Sequence, residues 1–119
     1  MRATVPVITL LGSPEKPDLD ESVLVQLKKA GSDLSKPHDI EFFLYFPSQS
    51  IAERAAPTIR AAGFAVGVRP AAKGSDWLCY TTKTMVPDLT ALQKIRRDFN
   101  RLAKSVHGEY DGWGTGVVK

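Results

Sequence analysis

Apolar residues follow two different periods along the chain, and each period predicts one kind of secondary structure. Alternating or aromatic-rich runs predict three strands, over residues 39–46, 64–69 and 76–83. Apolar residues spaced three and four apart predict three helices, which begin near residues 18, 50 and 87, the last running to about residue 107. Residues 108–115, together with 117–118, complete the pattern as a final strand.

Residues at the boundaries of these segments support the helices. Asp18, with an acid three residues later, is typical of a helix start, and Gly31 of a helix end. Ser50 opens the second helix in the same way. Pro57 conflicts with this helix, because an interior proline removes a backbone hydrogen bond at a cost of about 3 kcal/mol. We therefore expect a kink there, or a helix whose regular part begins late.

From residue 39 onward the predicted order is β-α-β-β-α-β, which is the split-βαβ or ferredoxin-like arrangement. This α+β fold is a four-stranded antiparallel sheet with two helices on one face, and its first strand lies between the third and the fourth. The chain then divides into two parts. Residues 1–37 form an N-terminal extension with a short strand, a linker and a helix, and residues 38–119 form the ferredoxin-like domain.

The composition is typical of a single globular domain. The chain has 119 residues, of which 43% are apolar and 24% are charged, and this length is enough for one hydrophobic core. Its single cysteine, Cys79, excludes an internal disulfide. No apolar run approaches the roughly 18 residues of a membrane-spanning helix. We expect a cytoplasmic protein.

Positive charge is concentrated in the middle of the chain. The net charge is +3, but residues 53–104 alone carry ten Lys or Arg and four Asp or Glu, a net of +6. On the last predicted helix, four basic residues fall on the side opposite the apolar residues, with no acid expected among them. We call these four the basic stripe: Lys94, Arg97, Arg101 and Lys104. The stripe is either a solvated helix face or a binding site for a polyanion, RNA or an acidic peptide.

The sheet face that points away from the helices is a second candidate surface. Phe43 and Tyr45 point outward if the residues that alternate with them form the core, and we expect Trp77 of the third strand to join them. The last strand adds three residues to this patch: Glu109, Asp111 and Trp113. In RRM domains such a face stacks RNA bases, but their third-strand signature is absent here. The other interpretation is that the N-terminal segment or a second copy covers this face.

Acidic residues on two strands raise the question of catalysis. Asp39 and Glu41 lie on the first strand and Glu109 and Asp111 on the last, and paired carboxylates serve acid–base chemistry or metal binding. Because the last strand runs antiparallel to the first, Glu109 enters opposite Tyr45, and the two pairs stand at opposite ends of the sheet. We expect solvated acids rather than a catalytic pair.

Histidine and cysteine give no stronger argument for a catalytic or metal site. His107, Glu109 and Asp111 alternate on one strand, but zinc sites draw ligands from more than one element, and His38 is remote in this topology. Cys79 has neither a second cysteine nor an activating base near it in the sequence, so we expect a packed thiol. The sequence thus predicts no catalytic residues, no metal and no cofactor.

The C-terminal part of the chain carries its most specific motif. Residues 108–115 read Gly-Glu-Tyr-Asp-Gly-Trp-Gly-Thr, with glycines that mark a bulge, a tight bend or a close backbone approach. This octet resembles the signature of the RraB family, regulators of ribonuclease E activity, and weaker similarity covers roughly residues 27–118. The motif positions in this chain are Gly108, Glu109, Tyr110, Asp111, Gly112, Trp113 and Gly114.

The resemblance implies a cytoplasmic, non-catalytic inhibitor with a ferredoxin-like fold that binds ribonuclease E and modulates RNA turnover. The characterised type of this family is strongly acidic, whereas this chain is net basic. The resemblance therefore predicts the fold of this chain more directly than it predicts the binding partner. We expect partner binding at the basic stripe or at Phe43, Tyr45 and Trp77. Two alternatives stay open: direct RNA binding through the basic stripe, and a homo-oligomeric module that uses the sheet face. The motif serves either folding or recognition.

Overall fold

A four-stranded sheet and three helices make up the part of the chain that the computed structural model describes, residues 18–72 and 74–119. The elements in chain order are α1 (Leu19–Lys29), β1 (His38–Phe46), α2 (Gln49–Ala61), β2 (Ala65–Pro70), β3 (Trp77–Met85), α3 (Leu89–Lys104) and β4 (Glu109–Gly114). Helices α2 and α3 pack on one face of the sheet, and α1 packs against α3. The strand predicted near the N-terminus lies outside the described residues.

The sheet has the strand order β2-β3-β1-β4, and each pair of neighbouring strands is antiparallel. This is the ferredoxin-like order predicted from the sequence, with β1 between β3 and β4. The register places Tyr45 opposite Glu109, as expected, and Phe46 opposite Trp77. The hydrophobic pattern of β1 and the connection rules of the fold were therefore sufficient to predict which strands are neighbours.

The hydrophobic core lies between the sheet and the helices. Alternate residues of β1 from His38 to Phe46 are fully buried, while the residues between them point to the other face. Phe42 packs edge-on against Phe64 and Phe99, with ring centroids 5.5 Å and 5.8 Å away. Such edge-to-face pairs contribute about 0.5–1.5 kcal/mol each beyond the burial of their area. This aromatic cluster ties the central strand to α3.

The starts of the helices follow from side-chain caps. Asp18 caps α1 as predicted, accepting hydrogen bonds from two backbone N–H groups of the first turn, and Gly31 follows the helix with a φ of 93°. The cap predicted at Ser50 is wrong, because that residue already lies inside α2. Ser48 is the cap instead: its backbone is extended and its hydroxyl accepts from the N–H of Ile51 at 3.2 Å.

The start of α2 and the end of α3 differ from the sequence prediction. Pro57 lies inside α2, and of the two alternatives expected there, a kink or a late start, the late start is wrong, since the helix begins at Gln49 and includes the proline. Pro57 is exposed, so its ring points away from the core. Helix α3 ends at Lys104, whereas the sequence predicted an end near residue 107. His107 adopts a left-handed φ of 62°, which a continuing helix does not allow.

The last strand is shorter than predicted. It comprises Glu109–Gly114, and Val117 and Val118 are not part of it. The backbone N–H of Val118 donates to the Ser32 hydroxyl at 3.0 Å, and its carbonyl accepts from the N–H of Asp33 at 2.6 Å. These bonds attach the C-terminal residues to the loop after α1 instead of to the sheet.

Candidate partner-binding surfaces

The face of the sheet opposite the helices is lined by aromatic and charged side chains. Phe43 and Tyr45 of β1 point to this side, as the alternation of the strand predicts. We define the outer sheet face by eight residues of the four strands: Glu41, Phe43, Tyr45, Arg69, Leu78, Tyr80, Glu109 and Asp111. Within residues 18–72 and 74–119, all three helices lie on the other side of the molecule.

Trp77 does not belong to the outer sheet face, and its predicted position there is wrong. It pairs directly with Phe46, and directly paired residues of neighbouring strands share a face. Trp77 is therefore on the helix side, partly buried against the core. Leu78 and Tyr80 point outward in its place. The alternation of β3 was ambiguous because apolar residues occupy both of its faces.

Trp113 is also missing from the outer sheet face, because a β-bulge in β4 turns it inward. Asp111 and Gly112 together stand opposite the single residue Phe43. Gly112 has a φ of 95°, a left-handed conformation that glycine adopts without strain. The extra residue shifts the alternation by one, so Trp113 pairs with Phe42 and is only 8% exposed. The expectation that it joins the outward patch is wrong for this reason.

A buried charged cluster surrounds Trp113, and nothing in the sequence pattern predicted it. The carboxylate of Asp20, only 1% exposed, accepts hydrogen bonds from Arg96 at 2.8 Å and 3.0 Å. The same carboxylate accepts from the indole N–H of Trp113 at 2.9 Å. The guanidinium carbon of Arg96 lies 5.2 Å from the ring centroid of Tyr110. The hydrogen bonds to Asp20 raise the pKa of Arg96. We call these four residues the buried cluster.

The C-terminal motif therefore contributes to both faces of the sheet. Its two aromatic residues belong to the buried cluster, whereas Glu109 and Asp111 are exposed on the outer sheet face. Gly108 allows a close approach between strands, since a Cβ atom at that position would lie 2.6 Å from the carbonyl oxygen of Tyr45. The aromatic residues of the motif, together with Gly108 and Gly112, support the fold, and its two acids are exposed.

A stacked cation and a hydrogen bond organise the centre of the outer sheet face. The Tyr80 hydroxyl donates to the Glu41 carboxylate, and this bond raises the pKa of Tyr80. The guanidinium of Arg69 lies over the same ring, 4.3 Å from its centroid, in a cation–π contact. The ring centroid of Phe43 is 6.1 Å from that of Tyr80. Arg69 of the protein itself thus stacks on the Tyr80 ring, whose hydroxyl is bonded to the carboxylate of Glu41.

An open pocket of about 340 Å³ lies at one end of the outer sheet face. Its lining residues are Tyr45, Ala71, Ala72, Asp76, Glu109 and Asp111. Among the described residues, no Lys or Arg side chain forms an ion pair with any of these three carboxylates. Among the described residues, the outer sheet face and its pocket carry four acids, Glu41, Asp76, Glu109 and Asp111, and one base, Arg69, which is an excess of negative charge, although the whole chain is net +3.

The basic stripe lies on the helix layer of the molecule, and its four residues are exposed on α3. The expected absence of acids along the stripe is wrong. Asp98 is positioned four residues after Lys94 and three before Arg101, accepting a hydrogen bond from the first at 2.6 Å and lying 3.8 Å from the second. The bond from Lys94 lowers the pKa of Asp98. Part of the positive charge of the stripe is neutralised within the protein.

His38 and Cys79, which were considered for metal binding and catalysis, have structural partners. His38 is buried on the helix side, where its ring nitrogens bond to the Ser32 hydroxyl at 2.6 Å and the Lys36 carbonyl at 2.8 Å. Cys79 is buried with its Sγ 3.4 Å from the carbonyl oxygen of Ala52, and burial raises its pKa to about 11.

Within residues 18–72 and 74–119, no three His, Cys, Asp or Glu side chains form a metal-binding group. In the same residues, no helix has the length and apolar character needed to cross a membrane.

A comparison with protein families gives a match over most of the chain. Residues 18–115 match the model of the RraB family, which is described as Regulator of ribonuclease activity B. The match begins at the cap of α1 and includes the whole sheet and the C-terminal motif. No curated protein sequence matches the chain significantly.

Proposed function

Because the chain belongs to the RraB family of regulators of ribonuclease activity, we propose that it regulates a ribonuclease E-type enzyme by binding to it. In this proposal the chain performs no catalysis: it changes RNA turnover in the cytoplasm by occupying a surface of the enzyme. The observation that carries the proposal is the outer sheet face, where Phe43, Tyr45 and Tyr80 stand among carboxylates on the side away from the helices.

The aromatic residues of the outer sheet face support a role in protein binding. Aromatic residues are enriched at protein–protein interfaces, where they supply large contact areas from rigid side chains. Here the aromatic side chains are partly exposed and come from the two central strands, β1 and β3, which hold them in fixed positions. The acids Glu41, Glu109 and Asp111 surround them and add polar contacts of one sign. Such a surface selects a partner by both shape and charge.

An RNA cleavage assay tests this proposal. The ribonuclease E of the same organism is incubated with a labelled RNA substrate, with and without the purified protein, and the cleavage rate is measured. We expect the parent protein to slow cleavage and Tyr45→Ala to lose most of this effect while remaining folded by circular dichroism. Val25→Ala is the matched control, because Val25 is an exposed apolar residue on α1, away from the sheet.

Two outcomes of the assay would contradict the proposal. A parent protein that neither binds the enzyme nor changes its rate would remove ribonuclease binding from consideration. Inhibition that Tyr45→Ala retains in full would leave ribonuclease binding in place but exclude the outer sheet face as its site.

Direct RNA binding through the basic stripe is the second candidate function. The four exposed cations of α3 favour it, since a row of basic side chains along one helix fits a phosphate backbone. Binding of labelled RNA to the protein alone, measured at several salt concentrations, distinguishes this function from the first. Strong, salt-dependent affinity in the absence of the enzyme would favour the basic stripe over the outer sheet face.

A further inference from the structure

We infer that the outer sheet face recognises arginine side chains of its protein partner, and that Arg69 occupies one such position within the protein itself. The inference rests on the proposed function and adds the chemistry of the partner segment. Three observations support it: the contact between Arg69 and Tyr80, the ring of Tyr45 beside the carboxylates of the pocket, and the negative charge of the face.

Arg69 shows how this face binds a guanidinium group. Its guanidinium carbon is 4.3 Å from the centroid of the Tyr80 ring, and the Tyr80 hydroxyl donates to the carboxylate of Glu41. The ring attracts the cation through its π face, and the Glu41 carboxylate lies at the hydroxyl end of the same ring. The ring of Phe43, 6.1 Å from that of Tyr80, extends the aromatic surface next to this contact.

Tyr45 offers the same combination of aromatic ring and carboxylate at the end of the sheet. Tyr45 and Glu109 are directly paired across β1 and β4, and Asp76 and Asp111 line the same pocket. No ion pair to these three acids is formed by the described Lys and Arg residues. An arginine entering the pocket would stack on the ring and donate to carboxylate oxygens, which its planar fork does better than a lysine ammonium.

The charge of the face disfavours the other occupants. RNA would bring phosphates close to Glu41, Glu109 and Asp111, where like charges repel. A second copy related by a two-fold axis would place this surface against itself and bring the same carboxylates together. A basic protein segment has the opposite charge, and arginine is the basic residue that also stacks on aromatic rings.

A peptide-binding experiment with the full-length protein tests the inference. The probe is a short fluorescein-labelled peptide in which arginine alternates with glycine, and binding is followed by fluorescence anisotropy. The comparison peptides carry lysine or citrulline at every arginine position. We expect the arginine peptide to bind at least about threefold more tightly than the lysine peptide, because lysine keeps the charge but loses stacking and the planar fork. The citrulline peptide should bind most weakly.

Charge-matched variants test the site. Glu109→Gln combined with Asp111→Asn should weaken binding of the arginine peptide about fivefold, since two exposed charge pairs are lost. Glu21→Gln combined with Glu53→Gln makes the same change in net charge on the helix layer, where both residues are exposed. This control should retain nearly all of the parent affinity. Tyr45→Leu should remove most of the preference for arginine over lysine.

A variant of Arg69 tests whether this residue occupies a binding position. Arg69→Gln frees the ring of Tyr80 and should strengthen binding of the arginine peptide about twofold to threefold. Arg54→Gln, an exposed arginine on α2, is the control for the change in net charge. Equal effects of the two substitutions would show that Arg69 does not compete for a guanidinium site.

The remaining outcomes each decide one part of the inference. Equal affinity for the arginine and lysine peptides would overturn it, as would full binding to the Glu109 and Asp111 double variant. A parent protein that binds neither peptide, and that sediments as a dimer which Tyr45→Leu dissociates, would assign the face to a second copy instead. If the protein does not recognise arginine but Tyr45→Ala still abolishes ribonuclease regulation, the proposed function stands and only the inference about arginine fails. If the arginine peptide binds but no ribonuclease is regulated, the proposed function is the part that fails.

Discussion

The indole N–H of Trp113 donates a hydrogen bond to the carboxylate of Asp20 at 2.9 Å, although 93 residues separate them in the chain. This bond joins the first turn of α1 to the edge strand β4. Arg96 of α3 donates two more hydrogen bonds to the same carboxylate. One buried carboxylate thus holds together three elements that are distant in sequence, and the indole of the C-terminal motif is one of its donors.

We predict that Trp113→Ala destabilises the fold by about 3–5 kcal/mol, the usual cost of truncating a buried tryptophan. Trp113→Phe retains an aromatic ring but loses the N–H donor, so it should cost less. Urea unfolding followed by circular dichroism measures both, with Glu109→Gln, an exposed change on the same strand, as the control. A Trp113→Ala protein with the melting temperature of the parent but without partner binding would show that this residue serves recognition instead.

Removal of Asp20 should be costly because it leaves buried donors without an acceptor. Asp20→Ala strands the guanidinium of Arg96, whose side chain is only 26% exposed, and should cost about 3–5 kcal/mol. Replacing Arg96 by Met in the same protein should recover part of this loss, since no unpaired charge then remains. A double-mutant cycle by urea unfolding measures the coupling. Additive effects of the two substitutions would contradict the existence of a coupled pair.

Two glycines of the C-terminal region should differ in their tolerance of a side chain. Gly108→Ala places a Cβ atom 2.6 Å from the Tyr45 carbonyl oxygen and 2.8 Å from the ring of Phe46, so the strands must separate. We expect a loss of about 1–3 kcal/mol from this overpacking. Gly116→Ala is the control, because a Cβ there has no atom within 4 Å. Thermal melting of the two variants decides the prediction, and equal melting temperatures would count against it.

The buried thiol of Cys79 should make stability fall in the alkaline range. Burial raises its pKa from 9.0 to about 11, so the unfolded chain releases the proton first as the pH increases. The contribution is fully present below pH 9 and is lost between pH 9 and about 11, by about 2–3 kcal/mol in total. Urea unfolding from pH 8 upward measures it, with Cys79→Ala as the reference that shares every other ionisable group. Parallel pH profiles for the two proteins would refute this assignment.

The central strand shows which parts of the fold could be predicted from the sequence. Residues 39–46 form an aromatic-rich run that predicts a strand, and the order of the elements leaves one common topology, so the position of β1 and the pairing of Tyr45 with Glu109 followed from them. The two tryptophans show the limit of this reasoning. Trp77 lies in a strand with apolar residues on both faces, and Trp113 follows a bulge whose position depends on the backbone of Gly112.

The buried cluster and the acid within the basic stripe were missed for a different reason. Asp20 reads as an ordinary acid in the first turn of a helix, and only the packing of α1 against α3 brings Arg96 to it. Asp98 was at the right spacing from Lys94 for an ion pair, so here the signal was present. The outer sheet face was predicted in part, since Phe43 and Tyr45 are there but Tyr80 and Arg69 depend on the register of β3 with its neighbours.

Loss of the basic stripe should not unfold the protein. Replacing Lys94, Arg97, Arg101 and Lys104 together by Gln should leave the fold intact, with a change of about 1 kcal/mol or less in the free energy of unfolding. The loss of two exposed ion pairs to Asp98 is small, relief of like-charge repulsion offsets part of it, and Gln is a good helix former. Urea unfolding of the variant and the parent measures this difference.

The same variant decides whether the stripe binds RNA. The control carries the same change in net charge at four exposed positions away from the stripe, Lys28, Lys29, Lys36 and Arg54. If the stripe contacts phosphates, only the stripe variant should lose most of the salt dependence of RNA binding, about 0.7–0.9 units of logarithmic slope per contact. If the stripe only solvates α3, parent, variant and control should all bind RNA weakly and alike. Strong RNA binding that persists in the stripe variant would exclude the basic stripe as the site.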